Sequence, residues 1–440
     1  MTASPAKAAS LRGPRLPSGL QTALWAASPS LYNSFCRRRY GPVFEAKMFP
    51  FGRVVTIAEP DLVRQVLTGD PNLFRAGDAN STIAFVVGQE SVLMLDGDDH
   101  AQMRRTLTPP FHREAIACHV DMIRSITEEE VSTWRVGETI KLQERLQRIT
   151  LEIMIRIVLG VADADRRAAL RRLVPQLLHV SPLLMVFPAI RRQVLGKGPW
   201  DRFLEVRREL DDVVFAEISK ARASDNAERV DSLSLLLRGE TGMGISDDAV
   251  RDHLVTLLVV GHETTSTALA WLFERVVRHP SVMRKLAAEG SESIRGHHPY
   301  LDATIKESLR IRPVTMDVAR TLAEPATIGG FDLDAGTMIA ISIGLLHRSP
   351  DIFPDPDAFR PERFMHESRP PFHYLPFGGG QHRCMGANFA MLEMQVITST
   401  ILAMVRMRAP RRTSEGARSM GPMILPSRGA EVEIVDRIVP

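Results

Sequence analysis

Cysteine is scarce in this chain: Cys36, Cys118 and Cys384 are the three in 440 residues. They are too few and too scattered for a disulfide framework or a zinc cluster, and they suit a reducing cytosol. A net charge of +3 leaves no electrostatic footprint for nucleic acid. No stretch approaches the roughly 18 consecutive apolar residues of a membrane span, so no transmembrane segment is expected. Met1 to Gln21 is basic and rich in Pro, Gly and Ser. It lacks the apolar core of a secretory signal. A loosely ordered tail over 1–25 and a cytoplasmic location are therefore expected. The chain has no internal repeat and no glycine-rich dinucleotide fingerprint. Its hydrophobic fraction, 44%, is ample for a large core.

The pattern along the chain is mostly helical. Residues 41–58 predict a short hairpin, Val43 to Met48 and Val54 to Ala58, turning through Pro50-Phe51-Gly52. Pro60-Asp61 opens a short helix through Val63, Val66 and Leu67. From about 98 to 280 the helical period is broken near Pro109-Pro110, Ser181-Pro182 and Gly196 to Pro199. The longest helix is expected over 247–278, capped by Ser246, with Asp247-Asp248 in its first turn and Pro280 as its stop. Short β-type runs alternate with glycine turns from about 325 to 345. Residues 350–373 are proline-rich and read as irregular. The total is mainly α with small β-sheets, unlike regular βαβ units.

The sharpest chemical signal is Phe377-Gly-Gly-Gly-Gln-His-Arg-Cys-Met-Gly386. It sets one cysteine, Cys384, at the end of a glycine-rich loop, directly before an apolar helix. A thiolate, not a thiol, binds metal. A helix N-terminus with His382 and Arg383 beside it favours negative charge on sulfur. Gly378 and Gly386 belong to a loop whose bare backbone can approach a flat ligand. The segment resembles the haem-binding loop of cytochrome P-450 enzymes, Phe-x-x-Gly-x-x-x-Cys-x-Gly, through Phe377, Gly380, Cys384 and Gly386.

Further segments carry the same resemblance. Within the long helix, Val260-Gly-His-Glu-Thr-Thr265 is similar to the family's oxygen-activation motif, through Gly261, Glu263, Thr264 and Thr265. Val260 departs from it, because a small residue is usual there. Glu307 and Arg310, three apart on the helix 300–312, match the family's Glu-x-x-Arg. Arg363, in Pro361-Glu-Arg-Phe364, matches the arginine that joins them in a structural network. That residue type fits because its rigid fork pairs bidentately with a carboxylate. His100 and Arg104, at i and i+4, match the bacterial members' His-x-x-x-Arg. With Arg320 and His382 they sit where haem propionates find partners, and Phe377 would pack on the cysteine side of the haem. The resemblance runs from residue 43 to Ile424 and implies one catalytic domain over 26–440. In that fold the haem lies between the long central helix and the Cys-loop helix.

The resemblance implies a soluble haem-thiolate monooxygenase with haem b as cofactor. Cys384 would be the axial ligand, and such a ligand favours O–O cleavage; the handling of this enzyme class is the standard example of that effect. Dioxygen reduction consumes protons. Thr264 can donate, accept and hold a water, and Glu263 can feed protons. Electrons would come from a ferredoxin-type partner with its reductase. The expected substrate is apolar, of lipid, terpenoid or steroid type. Its pocket would draw on residues 79–90 with Phe85, Val180 to Ile190 with Phe187, Thr256 to Val260, Val314 to Met316, and Met423-Ile424. Thr256 either offers a substrate its hydroxyl or bonds back to its own helix. Two other readings are a peroxide-using peroxygenase and a non-catalytic haem sensor or carrier. The acid–alcohol pair Glu263–Thr264 argues against both.

Overall fold

A computed structural model describes residues 11–438 except 162, 179–183, 186, 194–197, 224–230, 239–244, 293–297 and 366–368. It is mainly helical, 57%, with small sheets. The expected break at Ser181-Pro182 and part of that at Gly196 lie outside the described residues.

The long helix runs over Asp247–Val276. Ser246 caps it, its hydroxyl accepting from the Ala249 amide at 3.1 Å, and Asp247 and Asp248 fill the first turn. Thirty residues at about 1.5 Å each span roughly 45 Å. The helix is buried on nearly every side, as a helix without a polar face must be. Leu142–Leu159 packs along it. Gly261 is the point of closest approach: a Cβ there would meet Met154 Cε at 2.4 Å and Sδ at 2.8 Å. The glycine costs about 1 kcal/mol in helix propensity. It permits this crossing.

The hairpin forms as Phe44–Met48 and Gly52–Ile57, with Met48 opposite Gly52. It extends into a five-stranded sheet through Met338–Ser342, Asp317–Leu322 and Phe74–Arg75. Gly52–Ile57 and Met338–Ser342 pair in parallel; the other pairs are antiparallel. Pro60–Leu67 is the short helix expected after the hairpin. Among the described residues of 350–373 there is one 3₁₀ turn, Pro361–Phe364.

The N-terminal expectation needs correction. Ser18–Ala27 is a helix docked on the hairpin, and all but its last two residues fall in the stretch expected to be loose. Gln21 holds it. The Gln21 side chain is fully buried, donates to the carbonyls of Pro14 and Leu16, and accepts from Tyr32 Oη at 3.0 Å. Thr22 Oγ1 accepts from the Phe49 amide at 2.8 Å. A composition biased to Pro, Gly and Ser hides two such polar anchors.

The Cys-loop helix, Ala387–Met404, is apolar enough that the stretch Gly380–Met404 has the length and mean hydropathy, 1.2, of a membrane span. Half of that window is buried inside the protein. It packs against Val120–Ser132, the long helix and Pro299–Ile311.

Gly261→Ala is expected to lower stability by about 1–3 kcal/mol, the usual cost of overpacking, despite its better helix propensity. Thermal denaturation measures it. A rise in melting temperature would mean that the Met154 side chain yields without cost.

Candidate active site

The loop bearing Cys384 is anchored from below by a buried charge network. Glu307 and Arg310 are both fully buried. Arg310 donates to Glu307 through Nε at 2.7 Å and Nη2 at 2.9 Å. Arg363 Nε reaches the same carboxylate at 3.3 Å, and the Arg360 amide at 2.8 Å. The remaining Arg310 donors go to the carbonyls of His347, Pro356 and Ala358. The expected trio is therefore assembled. One residue missed in the sequence carries the network to the loop. His347 gives its carbonyl to Arg310 and accepts at Nε2 from the Leu375 amide, 2.8 Å away. Leu375 precedes Phe377 by two residues. Tyr374 stacks on His347 and donates to the Lys306 carbonyl.

The loop backbone is fixed at Gly380. Its φ is +68°, and a Cβ there would stand 1.9 Å from the Leu67 carbonyl oxygen. The tight contact at Gly380 is with Leu67. Gly378 also has positive φ, with open space around it. The Cys384 amide donates to the Phe377 carbonyl at 2.9 Å. Phe377 packs at the edge of the main core. Burial raises the Cys384 thiol pKa, opposed by the Gly386 amide and by Arg104 and Arg383.

Four basic residues gather near that thiol from separate elements. His100 and Arg104 lie on Gly97–Leu107, Arg320 on the strand Asp317–Leu322, and His382 in the loop. The rings of His100 and His382 stack with centroids 3.7 Å apart. Burial pushes His100 down to about 4 and His382 to about 3. Both are thus neutral at pH 7 without a ligand, unlike the cations expected, although each still donates one N–H. Charge comes from Arg104 and Arg320. Burial lowers both, Arg320 to about 10. Arg320 bonds only the Ala319 carbonyl, and among the described residues neither arginine has an ion pair. Asp96 is the one acid here, 3.6 Å from His382 Nε2. It also accepts from the amides of Ala76 and Gly77. His100 Nδ1 and His382 Nε2 are buried without a hydrogen bond. Such a surplus of buried donors fits a group bearing two carboxylates, as haem does.

Val260 is 37% exposed in the middle of the long helix while Val259 and His262 are buried. That pattern belongs to a helix lining a cavity. Thr264 is partly exposed one turn on, its hydroxyl donating to the Val260 carbonyl at 2.7 Å. Glu263 turns elsewhere. It is buried, and both carboxylate oxygens accept from Gln147 Nε2 at 2.9 and 2.8 Å. Gln147 had no sequence signal; it reads as a polar residue in an amphipathic helix.

The expected pocket is only partly assembled. Thr256 is buried, with its hydroxyl on the Asp252 carbonyl at 2.6 Å and on Ser91 Oγ at 2.7 Å, so it bonds back to its helix. Met316 is buried against Trp271 and Ile424 instead of facing a cavity, and its tip fills the space above Gly344. Phe85 is buried among Trp200 and Phe203. Val314 and Met423 are half-buried, bridged by the Ile424 amide on the Val314 carbonyl. Phe187 is exposed and touches Phe49. Residues 180–183 and 186 of the expected cover lie outside the described residues.

The fold has solved counterparts. The structure of retinoic acid-bound cyanobacterial CYP120A1 matches with a TM-score of 0.85, covering 97% of this chain and 100% of that one at 21% identity. A family model described as Cytochrome P450 matches residues 12–433. That match makes the chain a haem-thiolate monooxygenase: an oxidoreductase with haem b as cofactor, a small-molecule substrate, dioxygen and a redox partner. Cytochrome P450 135B1 of Mycobacterium tuberculosis is 38% identical over 431 residues, 96% of this chain and 90% of that protein. Cytochrome P450 138 of the same organism is 36% identical over 426 residues, 96% and 95% of the two chains. This chain belongs to the cytochrome P450 family.

Two outcomes follow from the buried charges. Glu307→Ala or Arg310→Ala leaves one buried charge unpaired, at about 3–5 kcal/mol. Either variant should be poorly folded and haem-deficient; soluble, haem-replete protein would refute the anchoring role. Glu393, on the Cys-loop helix, is fully buried and faces Thr265, and burial pushes its pKa up to about 8. The folded state therefore holds a proton that the unfolded state releases above its ordinary pKa. Stability contributed by this group should fall as pH rises from about 4.5 to 8. Glu393→Gln should flatten that fall in urea titrations at several pH values; an identical pH dependence would show that the carboxyl does not titrate there.

Proposed function

We propose that Cys384 supplies the thiolate ligand of the haem. The observation carrying this is the group beside it, in which Arg104, Arg320, His100 and His382 outnumber the single acid Asp96. Two propionates answer that imbalance. Phe377, Gly378 and Gly386 form the cysteine-side wall. When bound and reduced, haem supplies an iron centre that binds and activates dioxygen.

The chain's own part is to bind, orient and move protons. Thr264 Oγ1 donates to its own helix, which leaves its lone pairs to accept from a water on the cavity side. Glu263 is the proton relay. Side chains at 263 and 264 leave the helix about 100° apart. Release of Glu263 from Gln147 is therefore the motion that lets its carboxylate take up a proton from solvent and pass it to the Thr264 side. Val260 narrows the space over the cavity. The substrate is apolar, of lipid, terpenoid or steroid type, in keeping with Val260, Val314, Met423 and the aromatic floor at Phe85. The cyanobacterial protein of this fold was solved with retinoic acid bound, a molecule of that kind. A ferredoxin-type protein with its reductase delivers electrons, in the cytoplasm. The family match over 12–433 and the unpaired thiols of Cys36 and Cys118 agree with that setting.

Thr264→Ala should keep haem and substrate affinity while diverting reductant to hydrogen peroxide, so product per reductant falls. Glu263→Gln should slow turnover by roughly 100-fold, the low end for positioned proton transfer. Product, reductant consumed and peroxide are assayed together with a surrogate ferredoxin and reductase. An unchanged product-to-reductant ratio in Thr264→Ala would remove Thr264 from the proton path. Full turnover on peroxide alone, insensitive to both changes, would favour a peroxygenase.

A further inference from the structure

We propose that Arg191 receives a carboxylate of the substrate, which makes the substrate an apolar molecule with one anionic end. This rests on the apolar-substrate reading above and narrows it. Arg191 is half-buried and held rigidly. Its Nε donates to the Leu184 carbonyl at 2.8 Å and its Nη2 to the Met185 carbonyl at 3.4 Å. Its guanidinium carbon lies 4.1 Å over the Phe85 ring. These contacts fix the plane of the fork. They leave Nη1 without a hydrogen bond, and no carboxylate lies within 4.0 Å among the described residues. An arginine that only tied down the Leu184 and Met185 carbonyls would need no further partner. This one, however, is lowered in pKa by burial, so its charge is held at a cost that no neighbouring anion offsets.

Its surroundings give the ligand's shape. Arg191 lines a cavity of about 350 Å³ whose apolar wall includes Phe51, Met185 and Met338. Asp78 is the one acid in that lining, and it faces Arg75 at 3.6 Å. The hydroxyls of Ser81 and Thr82 point to the same chemistry: both residues line the cavity, and neither hydroxyl has a hydrogen bond among the described residues. Beneath the guanidinium, Phe85 continues into Trp200 and Phe203. Its short helix, Ala84–Val87, packs against the long helix. A fork with a free N–H, two free hydroxyls and an apolar floor leading to the long helix suit a carboxylate with a hydrocarbon body.

The test uses matched pairs that differ only in the end group: dodecanoic acid with dodecan-1-ol, and retinoic acid with retinol. Dissociation constants are measured by calorimetry on the haem-loaded protein and by the substrate-induced change in haem absorption. The wild type should bind each acid about tenfold tighter than its alcohol, the scale of one charge-assisted contact at a half-buried site. Arg191→Ala should bring the acid to the alcohol's level and leave the alcohol unchanged, which also shows that the variant is folded. Arg191→Lys should keep part of the preference. Equal binding of acid and alcohol by the wild type, or a preference that survives Arg191→Ala, would overturn the carboxylate assignment and leave the apolar reading standing. Binding of no member of either pair would defeat the apolar reading and this proposal with it.

Discussion

The buried pair Glu307–Arg310 is the constraint on which the site depends. Taking two charges out of water costs several kcal/mol per ion, and attraction offsets this only when every remaining donor and acceptor is used. Here they are used. Arg310 spends its fork on Glu307 and on three carbonyls, and Glu307 adds Arg363 Nε and the Arg360 amide. The recipients are loop backbone that no regular ladder would hold. Through His347 the same network reaches the Leu375 amide, and with it the start of the Cys384 loop. The loop is glycine-rich and gains little from side-chain packing of its own, so its position is borrowed from charge buried beneath it.

The chemistry at the loop follows from a second imbalance. Histidines 100 and 382 are stacked and neutral, while Arg104 and Arg320 remain charged with no ion pair among the described residues. Arg104 and Arg383 beside the Cys384 thiol favour its ionised form, and loss of solvation around the sulfur opposes it. A dianionic cofactor would relieve the arginines and occupy the free imidazole donors. The surplus donors and the cysteine thus describe one binding problem from two sides.

Much of this was legible in the sequence, because the informative features are local. The Ser246 cap, the Asp247 start and the long apolar period placed the central helix to within two residues of its end. The spacing of Glu307, Arg310 and Arg363 announced the network because each motif is only a few residues long. What stayed hidden depends on contacts between distant segments. Gly261 reads as a helix defect until Met154 is placed against it. Glu263 reads as an open proton donor until Gln147 clamps it from a neighbouring helix. Thr256 and Met316 have the right chemistry for a pocket, yet Ser91 and Trp271 claim them. The N-terminal helix was missed because one buried glutamine outweighs an unstructured-looking composition.

On the reading proposed above, Cys384, and neither of the other cysteines, holds the cofactor through sulfur. The most direct measurement is the absorption spectrum of the reduced, carbon monoxide-treated protein, compared among the wild type and the Cys384→Ala, Cys36→Ala and Cys118→Ala variants. The strongly red-shifted band of a thiolate-ligated haem is expected in the wild type and in the last two, with its loss in Cys384→Ala alone. A band that persists without Cys384, or a wild-type protein that takes up no haem, would contradict it.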